Sequence, residues 1–461
     1  MIVKQENNKW KMITQAKNII EKLENDPRKY AVVSNPSYVY PPEEYYPLAP
    51  ALEQVKQLSG VLMDMDGTTT TTEELCIYSL EQMVRRMSGK MNPKYWHGLD
   101  REKDYPYIIG NSTTKHVEYL IGKYNEMLEP QHTARAFVKA ALWTLTQGKD
   151  ENRKQEVMQN LRKMGMKELI DEVAQKGGEI PPTGQYEKNL LALSFDQKVS
   201  LGIDIYYHVY HEILARLKEG RSEEIKREVF GRQPGDKHLI APMPGIPVLL
   251  PMLKGWLGTS VPLVAEDLLK DYQRQTGRQM SEEEQSRHLR RLTQLSLHFV
   301  RHPVKVGLVT SSIHYEADIV IQEVFDVIRS FYEKSRLPEG RKQSVLKRLG
   351  DYREFYDAFV TASDSSEIRL KPHRDLYSIA LNKLGISPGH FDQVVGFEDS
   401  QSGTVAIRAA GIGCCVAVPF AQTAAHNFEA AVHQLEGGIP QALIEHKLFV
   451  NQEEKQTIDY E

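Results

Sequence analysis

The sequence predicts an α/β fold, a doubly wound parallel sheet that carries a large α-helical insertion. The first observation is a run of four mostly apolar residues, 60–63, that leads into Asp64, Asp66 and a glycine, which indicates a buried strand opening into a loop. The second is the alternation of strand-like and helix-like segments from residue 304 onwards, a pattern typical of parallel sheets with helices on both faces. Between these parts the pattern is dominantly helical, so the insertion interrupts one domain.

Composition narrows the possible function classes. The chain has 461 residues, 41% of them hydrophobic and 26% charged, as is usual for a globular protein of two or three domains. Its formal net charge of -4 gives no reason to expect nucleic acid as a partner. The 3 cysteines cannot form a disulfide framework and fit a reducing compartment. No run of 18 apolar residues occurs, so we expect no membrane span and a cytoplasmic location.

The first 56 residues are predicted to form a helical extension and a linker. Apolar residues recur at helical spacing over residues 9–24, which predicts one amphipathic helix. A segment rich in Pro and Tyr follows over residues 35–50, and its composition favours an extended linker on the surface.

The inserted segment, predicted as residues 76–300, reads as helical throughout. Helical periodicity is clear over residues 157–173 and 201–217. Ser281 followed three residues later by Glu284 is a capping-box signature, which predicts a helix that runs to about His298.

The remaining segments complete the α/β domain, predicted as residues 57–75 plus 301–440. A basic stretch over residues 335–350 is predicted to be a looped insertion. The predicted later strands cover residues 304–309, 357–361, 393–397 and 413–418. The predicted helices between them cover residues 315–334, 373–384 and 402–410, the second of which stops at Gly385.

Polar side chains follow four of the predicted strands. Asp64 and Asp66 are two residues apart, so they leave their strand on the same side. The other groups are Thr310 with Ser311, Lys371, and Glu398 with Asp399. Since ligands bind beyond the carboxyl ends of parallel strands, we expect these groups to form one site. Each group alone has an ordinary explanation as a turn or a helix cap, but their shared position predicts a site.

These motifs resemble those of the haloacid dehalogenase superfamily, whose members are mostly phosphatases and phosphomutases. The run Asp64-Met65-Asp66-Gly67-Thr68 is similar to the first motif. Thr310, Lys371 and the pair Glu398-Asp399 match the second, third and fourth. The fourth motif, over residues 395–403, is especially similar to the β-phosphoglucomutase-like branch. The resemblance implies a Rossmann-like core, with residues 76–300 as a helical cap that is longer than usual for this branch.

The resemblance implies that Asp64 is a nucleophile and that Asp66 is its acid/base partner. Phosphoryl transfer needs an in-line nucleophile and compensation of the charge on the phosphoryl oxygens. Asp64 would form an aspartyl-phosphate, and Asp66 would protonate the leaving oxygen. We expect Mg²⁺ to be held by Asp64, the backbone carbonyl of Asp66, and Asp399 with or without Glu398.

The phosphate would be bound by the second and third motifs. Thr310 and the backbone amide of Ser311 would donate hydrogen bonds to its oxygens. Lys371 would neutralise both the nucleophile and the transferring group. The five threonines at residues 68–72 depart from the family pattern. The resemblance therefore does not predict how the chain passes from the first motif into the cap.

Other residues carry weaker signals. Gly110, Asn111, Ser112 and Lys115 resemble the cap loop that contacts substrate, although a turn that caps a helix over residues 115–128 would look the same. The spacing of His208 and His211 is compatible with a metal, but a core or interface face is the favoured interpretation. Cys414 and Cys415 are expected to be buried in a strand.

The leading prediction is Mg²⁺-dependent hydrolysis of a small phosphate monoester, with a small phosphorylated metabolite as partner. A phosphomutase that uses the same site is the first alternative. The second is a binding or interaction protein with vestigial activity, against which the retention of all four motifs argues. Dehalogenases and phosphonate hydrolases of the superfamily lack the second acid, and Asp66 is present here.

Overall fold

The computed structural model describes most of the chain. The predicted helix over residues 9–24 lies outside the described residues except for residue 23. The described residues are 26–35, 39–108, 113–175, 193–231, 237–366, 369–420, 423–445 and 448–449, with 23 and 235 in addition.

Ten short strands form one large sheet and two small ones within the described residues. The strands are β1 Tyr30–Ser34, β2 Glu43–Pro47, β3 Gly60–Asp64, β4 Thr70–Thr71, β5 Ala241–Pro242, β6 Lys305–Val309, β7 Ala358–Val360, β8 Val394–Glu398, β9 Cys414–Ala417 and β10 His433–Gln434. The large sheet has the order β10-β9-β8-β3-β6-β7. All of its neighbouring strands run parallel.

Apolar side chains cover both faces of this sheet. Met63 and Val61 of β3 point into one large buried cluster, whereas Leu62 between them points into another. Side chains that alternate between two buried faces are typical of a parallel sheet with helices on both sides. The predicted α/β fold and its doubly wound sheet are therefore confirmed, as are all four later strands to within a residue or two.

A two-stranded sheet marks where the chain leaves and re-enters this domain. β4 pairs antiparallel with β5, with Thr70 opposite Pro242 and Thr71 opposite Ala241. The hydroxyl of Thr70 also donates to the carbonyl of Ala241 at 3.0 Å. Because β4 begins six residues after the end of β3, the insertion starts immediately beyond the first pair of acids.

The insertion folds around an apolar core of its own. The buried residues of that core lie between Leu80 and Tyr206. The helices of this region are Glu73–Ser88, Tyr105–Ile108, Thr113–Tyr124, Pro130–Gln147, Glu151–Lys163, Lys167–Gln175, Phe195–Lys218 and Ser222–Phe230. The predicted helix over residues 201–217 is confirmed. The pattern over residues 157–173 is split in two, because Gly165 takes a left-handed conformation with φ 70°.

Helices that follow β5 pack with the sheet. Their buried residues belong to the same cluster as Met63 of β3. These helices are Ile246–Leu253, Ala265–Thr276 and Glu282–Arg301, the last with the predicted capping box at Ser281. The predicted domain boundary at residue 300 stays untested, and we propose from this packing that the insertion ends near β5.

The helices after β6 alternate with the strands along the chain, as predicted, and the last of them follows β10. They are His314–Lys334, Glu339–Arg348, Tyr352–Phe355, Asp375–Lys383, Gln401–Ala409 and Gly438–Ile444. The prediction of a loop over residues 335–350 is wrong, because residues 339–348 are helical. Val345 and Leu349, four residues apart, are both buried while the basic side chains remain on the solvent side.

The predicted surface linker over residues 35–50 is also wrong in part. β1 and β2 form an antiparallel hairpin, with Tyr30 opposite Pro47 and Ser34 opposite Glu43. Tyr46 is only 6% exposed and packs with Val33, Leu48 and Ala409. The hairpin is therefore part of the folded domain. Among the described residues, no helix is both long and apolar enough to cross a membrane.

Candidate active site

The sheet brings the predicted site residues together at its carboxyl edge. Asp64 ends β3, Thr310 follows β6, and Glu398 ends β8. β3 lies between β6 and β8 in the sheet, and Asp64 is in register with Val309. Lys371 reaches the same place from the segment between β7 and helix Asp375–Lys383.

Lys371 is the centre of the charged cluster. Its ammonium group donates to Asp64 Oδ1, to Glu398 Oε1 at 2.7 Å and to the carbonyl of Val309 at 3.3 Å. The carboxylate oxygens of Asp64, Glu398 and Asp399 lie within 4.8 Å of one another. All three carboxylates are buried, so one ammonium group faces three acids.

Burial and mutual repulsion shift the pKa values of this cluster. Burial raises the pKa of Asp64 to about 8, against the opposing effect of Lys371. Burial and the neighbouring carboxylates of Glu398 and Asp64 raise the pKa of Asp399 well above its usual range. Burial disfavours the charged form of Lys371, but the two acids outweigh it and raise that pKa. The cluster therefore has more acid than its single cation neutralises.

The threonine run, which departs from the family pattern, supports the two acids of the first motif. Thr69 donates its hydroxyl to the carbonyl of Asp64 at 2.6 Å, and Thr72 donates to Asp66 Oδ1 at 3.2 Å. Thr68 donates to Asp399 Oδ1 at 3.4 Å, which links the first and fourth motifs. Two of these hydroxyls thus act as hydrogen-bond donors for acceptor-only carboxylates, and the third donates to a backbone carbonyl.

Asp66 faces the loop after β6. Ser312, which the sequence interpretation missed, donates its hydroxyl to Asp66 Oδ2 at 3.4 Å. The backbone N–H of Ser312 in turn donates to Thr310 Oγ1 at 3.0 Å, which fixes the orientation of that hydroxyl. Burial raises the pKa of Asp66 to about 6. A carboxyl group with a pKa near neutrality is suited to exchanging protons with substrate.

Glu398 is held on both of its oxygens. Oε1 accepts from Lys371, and Oε2 accepts from the backbone N–H of Ser400 at 2.9 Å and from its hydroxyl at 2.8 Å. Ser400 is also the N-cap of helix Gln401–Ala409, because its hydroxyl accepts from Gly403 N–H at 3.1 Å. Glu398 therefore anchors Lys371 to the start of this helix.

Two glycines are required for the close packing of the acids. Gly67 has φ 85°, and a Cβ at this position would lie 2.6 Å from Asp399 Oδ2. A Cβ on Gly403 would lie 1.7 Å from Glu398 Oε1. Both distances are far below van der Waals contact, so any larger residue has to displace an acid of the cluster.

We expect Gly403→Ala to displace Glu398 from Lys371. The overpacking should lower the free energy of unfolding by about 3 kcal/mol, and the loss of orientation should lower turnover by about tenfold. Urea unfolding and phosphatase assays would measure the two effects. Gly340→Ala is the matched control, because Gly340 is also helical and a Cβ there meets nothing within 4 Å. The control should leave the free energy of unfolding unchanged or raise it by up to about 1 kcal/mol. Equal losses of stability and turnover in the two variants would contradict the proposed displacement of Glu398.

A cleft between the insertion and the sheet domain opens beside Ser311 and Ser312. Its volume is about 440 Å³, within the range of small-molecule sites. The insertion contributes Asp150, Asn152, Arg153, Glu156 and Tyr207, and the sheet domain contributes Ser311, Ser312, Ile313, Glu316, Ala362, Ser363, Ser365 and Leu370. A larger groove of about 890 Å³ includes Tyr78 and Arg85 but no residue of the loop after β6, which carries Ser311 and Ser312. The smaller cleft is therefore the candidate substrate site.

The two histidines of helix Phe195–Lys218 have different surroundings. His211 Nε2 and Glu316 Oε1 share a hydrogen bond of 2.7 Å that joins the insertion to the sheet domain. Asp150 lies close enough to complete a group of three possible ligands. His208 is buried beside Trp143, and Arg86 lies 3.0 Å from its Nδ1. Both positions agree with the interpretation of a core or interface face.

Of the predicted cap-loop residues, only Lys115 lies in the described part of the chain. Gly110, Asn111 and Ser112 lie outside the described residues. Lys115 is exposed on helix Thr113–Tyr124 and does not line the cleft. Arg153 and Tyr207 do line the cleft, and no motif in the sequence pointed to either residue. The assignment of the cap loop to substrate stays a prediction. Cys414 and Cys415 are buried in β9, as predicted.

The parallel sheet, the insertion directly after one of its inner strands and the acids at its carboxyl edge are the features that the resemblance to the haloacid dehalogenase superfamily implied. Over 91 residues, 20% of this chain, the sequence is 38% identical to the "Putative phosphatase YhcW" of Bacillus subtilis (strain 168). The match spans 38% of that relative's length. No family model matches the chain.

The chain is also similar to solved structures. CbbY from Rhodobacter sphaeroides in complex with phosphate is 15% identical with a TM-score of 0.35, over 84% of this chain and 96% of that one. A HAD family hydrolase from Deinococcus radiodurans R1 with bound phosphate and sodium is 13% identical with a TM-score of 0.32, over 82% and 91%. At these values the similarity carries no conclusion about activity.

Proposed function

We propose that this protein is a Mg²⁺-dependent phosphohydrolase that acts on a small phosphate monoester through an aspartyl-phosphate. The observation that carries the proposal is the position of the Lys371 ammonium group, between Asp64 and Glu398 at the edge of the sheet. A lysine that stays charged while bound to a candidate nucleophile lowers the repulsion between that carboxylate and an anionic phosphate.

The donor set fits a hard divalent cation. Three buried carboxylates face one ammonium group, and carboxylate oxygen is the ligand type that Mg²⁺ prefers. Both oxygens of Glu398 already accept hydrogen bonds, whereas Asp399 accepts a long one from Thr68 at 3.4 Å. We therefore assign Asp64, Asp399 and the backbone carbonyl of Asp66 as the ligands, with Glu398 as the anchor of Lys371. When bound, the ion would supply positive charge that screens the phosphate from the acids.

The chain's own residues account for the reaction steps. Asp64 attacks phosphorus in line, and the bond from phosphorus to the leaving oxygen breaks. Asp66 gives its proton to that oxygen and later accepts a proton from the water that hydrolyses the aspartyl-phosphate. Thr310 and the backbone N–H of Ser311 donate to the phosphoryl oxygens. Lys371 remains charged throughout and compensates the negative charge of the transferring group.

The lining of the cleft favours hydrolysis over the phosphomutase alternative. Within the described residues, three acids, Asp150, Glu156 and Glu316, line the cleft with a single cation, Arg153. Arg153 already pairs with Glu156 and with the buried Asp204. A bisphosphate intermediate would place a second phosphate against this surface, where like charges repel. We therefore favour a leaving alcohol that is neutral or positively charged.

The direct test is phosphate release from a panel of phosphate esters with Mg²⁺. The panel should contain an aryl phosphate, sugar phosphates, nucleotides, phospho-acids and an amino-alcohol phosphate. We expect Mg²⁺-dependent release that EDTA abolishes, with doubly anionic phospho-acids among the poorer substrates. Isomerised sugar phosphate without free phosphate would support the phosphomutase. No turnover across the panel would overturn the proposal and favour a binding protein with vestigial activity.

A further inference from the structure

The N-terminal hairpin contacts the segment that carries Lys371. Glu44 and Tyr46 are two residues apart on β2, so they share one face of the hairpin. That face packs against the sheet domain, where Tyr46 is only 6% exposed. The neighbouring Tyr45 points the other way and is 63% exposed.

The two side chains bind residues on either side of Lys371. Arg369, two residues before it, donates Nη1 to Glu44 Oε1 at 2.7 Å and to Oε2 at 2.8 Å. His373, two residues after it, shares a 2.9 Å hydrogen bond between Nδ1 and the hydroxyl of Tyr46. Strand β2 thus forms hydrogen bonds with residues on both sides of Lys371.

The hydrogens of this network can be assigned. Glu44 accepts from the hydroxyl of Tyr46 and from Arg369, which together lower its pKa to about 2 and keep it ionised. Tyr46 has one hydroxyl hydrogen and gives it to Glu44, so its oxygen accepts from His373 Nδ1–H. Each hydrogen bond therefore has a defined direction, and the three that Arg369 and Tyr46 donate to Glu44 are charge-assisted.

The hairpin is itself anchored beside the fourth motif. The backbone N–H of Ala49 donates to the carbonyl of Arg408 at 2.9 Å, and Arg408 Nε donates to the carbonyl of Ala49 at 3.1 Å. Arg408 lies on helix Gln401–Ala409, which Ser400 caps and which begins next to Asp399. The hairpin therefore ties the segment of Lys371 to the helix that follows Glu398 and Asp399.

We propose that Glu44 and Tyr46 are positioning residues that hold Lys371 in place between Asp64 and Glu398. This inference rests on the proposed function, in which Lys371 neutralises the nucleophile and the transferring group. The ammonium group has to meet two acids at once, and a shift of the segment by about 1 Å would lengthen at least one of these contacts and cost up to about a hundredfold in rate. The contacts of Glu44 with Arg369 and of Tyr46 with His373, here called the clamp, prevent that shift.

The test pairs two variants with two matched controls on the same strand. Tyr46→Phe removes the hydroxyl and keeps the ring, and Glu44→Gln removes the charge at nearly constant size. Tyr45→Phe and Glu43→Gln make the same changes on the exposed face, where the Tyr45 hydroxyl donates to Glu43 Oε2 at 2.9 Å. The readouts are amide hydrogen exchange of residues 369–375 in the full chain, and kcat and KM for the best phosphate ester.

We expect exchange of residues 369–375 to rise about tenfold in Tyr46→Phe and Glu44→Gln but not in the controls, since a charge-assisted hydrogen bond is lost. We expect kcat to fall about tenfold with KM nearly unchanged, because positioning of Lys371 matters most in the transition state. Unchanged exchange would overturn the clamp, and raised exchange with unchanged kcat would overturn its role in the reaction. If the wild-type protein turned over no phosphate ester, the proposed function would fail, and the exchange data would still decide for or against the clamp.

Discussion

Asp64→Asn is expected to abolish turnover of every phosphate ester that the wild-type protein accepts. An amide oxygen cannot replace the carboxylate as nucleophile, so we expect a loss of about 10⁴-fold or more in kcat. Asn keeps the size of the side chain and an acceptor for Lys371, so the fold should persist. Steady-state kinetics with Mg²⁺ and a circular dichroism spectrum would measure both.

Asp326→Asn provides the control for this substitution. Asp326 lies on the exposed side of helix His314–Lys334 and hydrogen-bonds to Gln322 at 3.2 Å, away from the cluster. It should retain full activity. Turnover by Asp64→Asn within about tenfold of the wild type would mean that another group attacks phosphorus, because the residual rate would be too high for loss of a nucleophile.

Lys371→Met is the second change with a large expected effect. It removes the ammonium group that faces Asp64 and Glu398 and leaves both acids buried without a counter-charge. Removing one partner of a buried ion pair costs about 3–5 kcal/mol, and loss of the charge on the transferring group should lower kcat by about 10³-fold. Urea unfolding and kinetics would separate the two losses.

Lys383→Met is the control that tests whether the losses of stability and of kcat are specific to a lysine in the buried cluster. Lys383 also donates to an acid, Asp364, at 2.8 Å, but its side chain is 39% exposed. An exposed pair contributes about 0–1 kcal/mol, so the control should remain nearly as stable and fully active. If the two lysine variants lost the same stability, the buried cluster would not have the energetic role assigned to it.

The sheet and its acids could be predicted because their signals are local. A mostly apolar run such as residues 60–63 favours a buried strand, and parallel strands put their carboxyl ends on one edge. The convergence of Asp64 and Glu398 follows from these two facts, whereas Lys371 lies away from any strand end in the described part of the chain and was assigned from its resemblance to the third motif. The capping box at Ser281 was equally local, since the two reciprocal hydrogen bonds involve residues three apart.

The features that the sequence did not reveal depend on distant partners. Tyr46 lies in a segment whose Pro and Tyr content favours a loop, but it packs against Ala409 and shares a hydrogen bond with His373, 327 residues away. The helix over residues 339–348 was obscured by its basic residues, because only Val345 of that helix is buried. Arg153 and Tyr207 reach the cleft through the fold of the insertion, which leaves no motif in the sequence.

The threonine run shows how a departure from a family pattern can still be functional. Residues 68–72 are threonines where the family usually has apolar residues. Three of their hydroxyls nevertheless donate hydrogen bonds to Asp64, Asp66 and Asp399. The sequence contained the signal, five hydroxyl groups next to two acids. Only the geometry of the loop, which turns back at Gly67, assigns each hydroxyl to an acceptor.

The most direct test of the central claim is to trap the phosphorylated enzyme. The protein would be mixed with its best phosphate ester and Mg²⁺, quenched in acid within one turnover, and mapped by mass spectrometry of its peptides. We expect a phosphoryl group on Asp64, more of it in Asp66→Ala because hydrolysis of the intermediate lacks its base, and none in Asp64→Asn. Phosphate release without a phosphorylated Asp64, or a phosphoryl group on a different residue, would contradict the account.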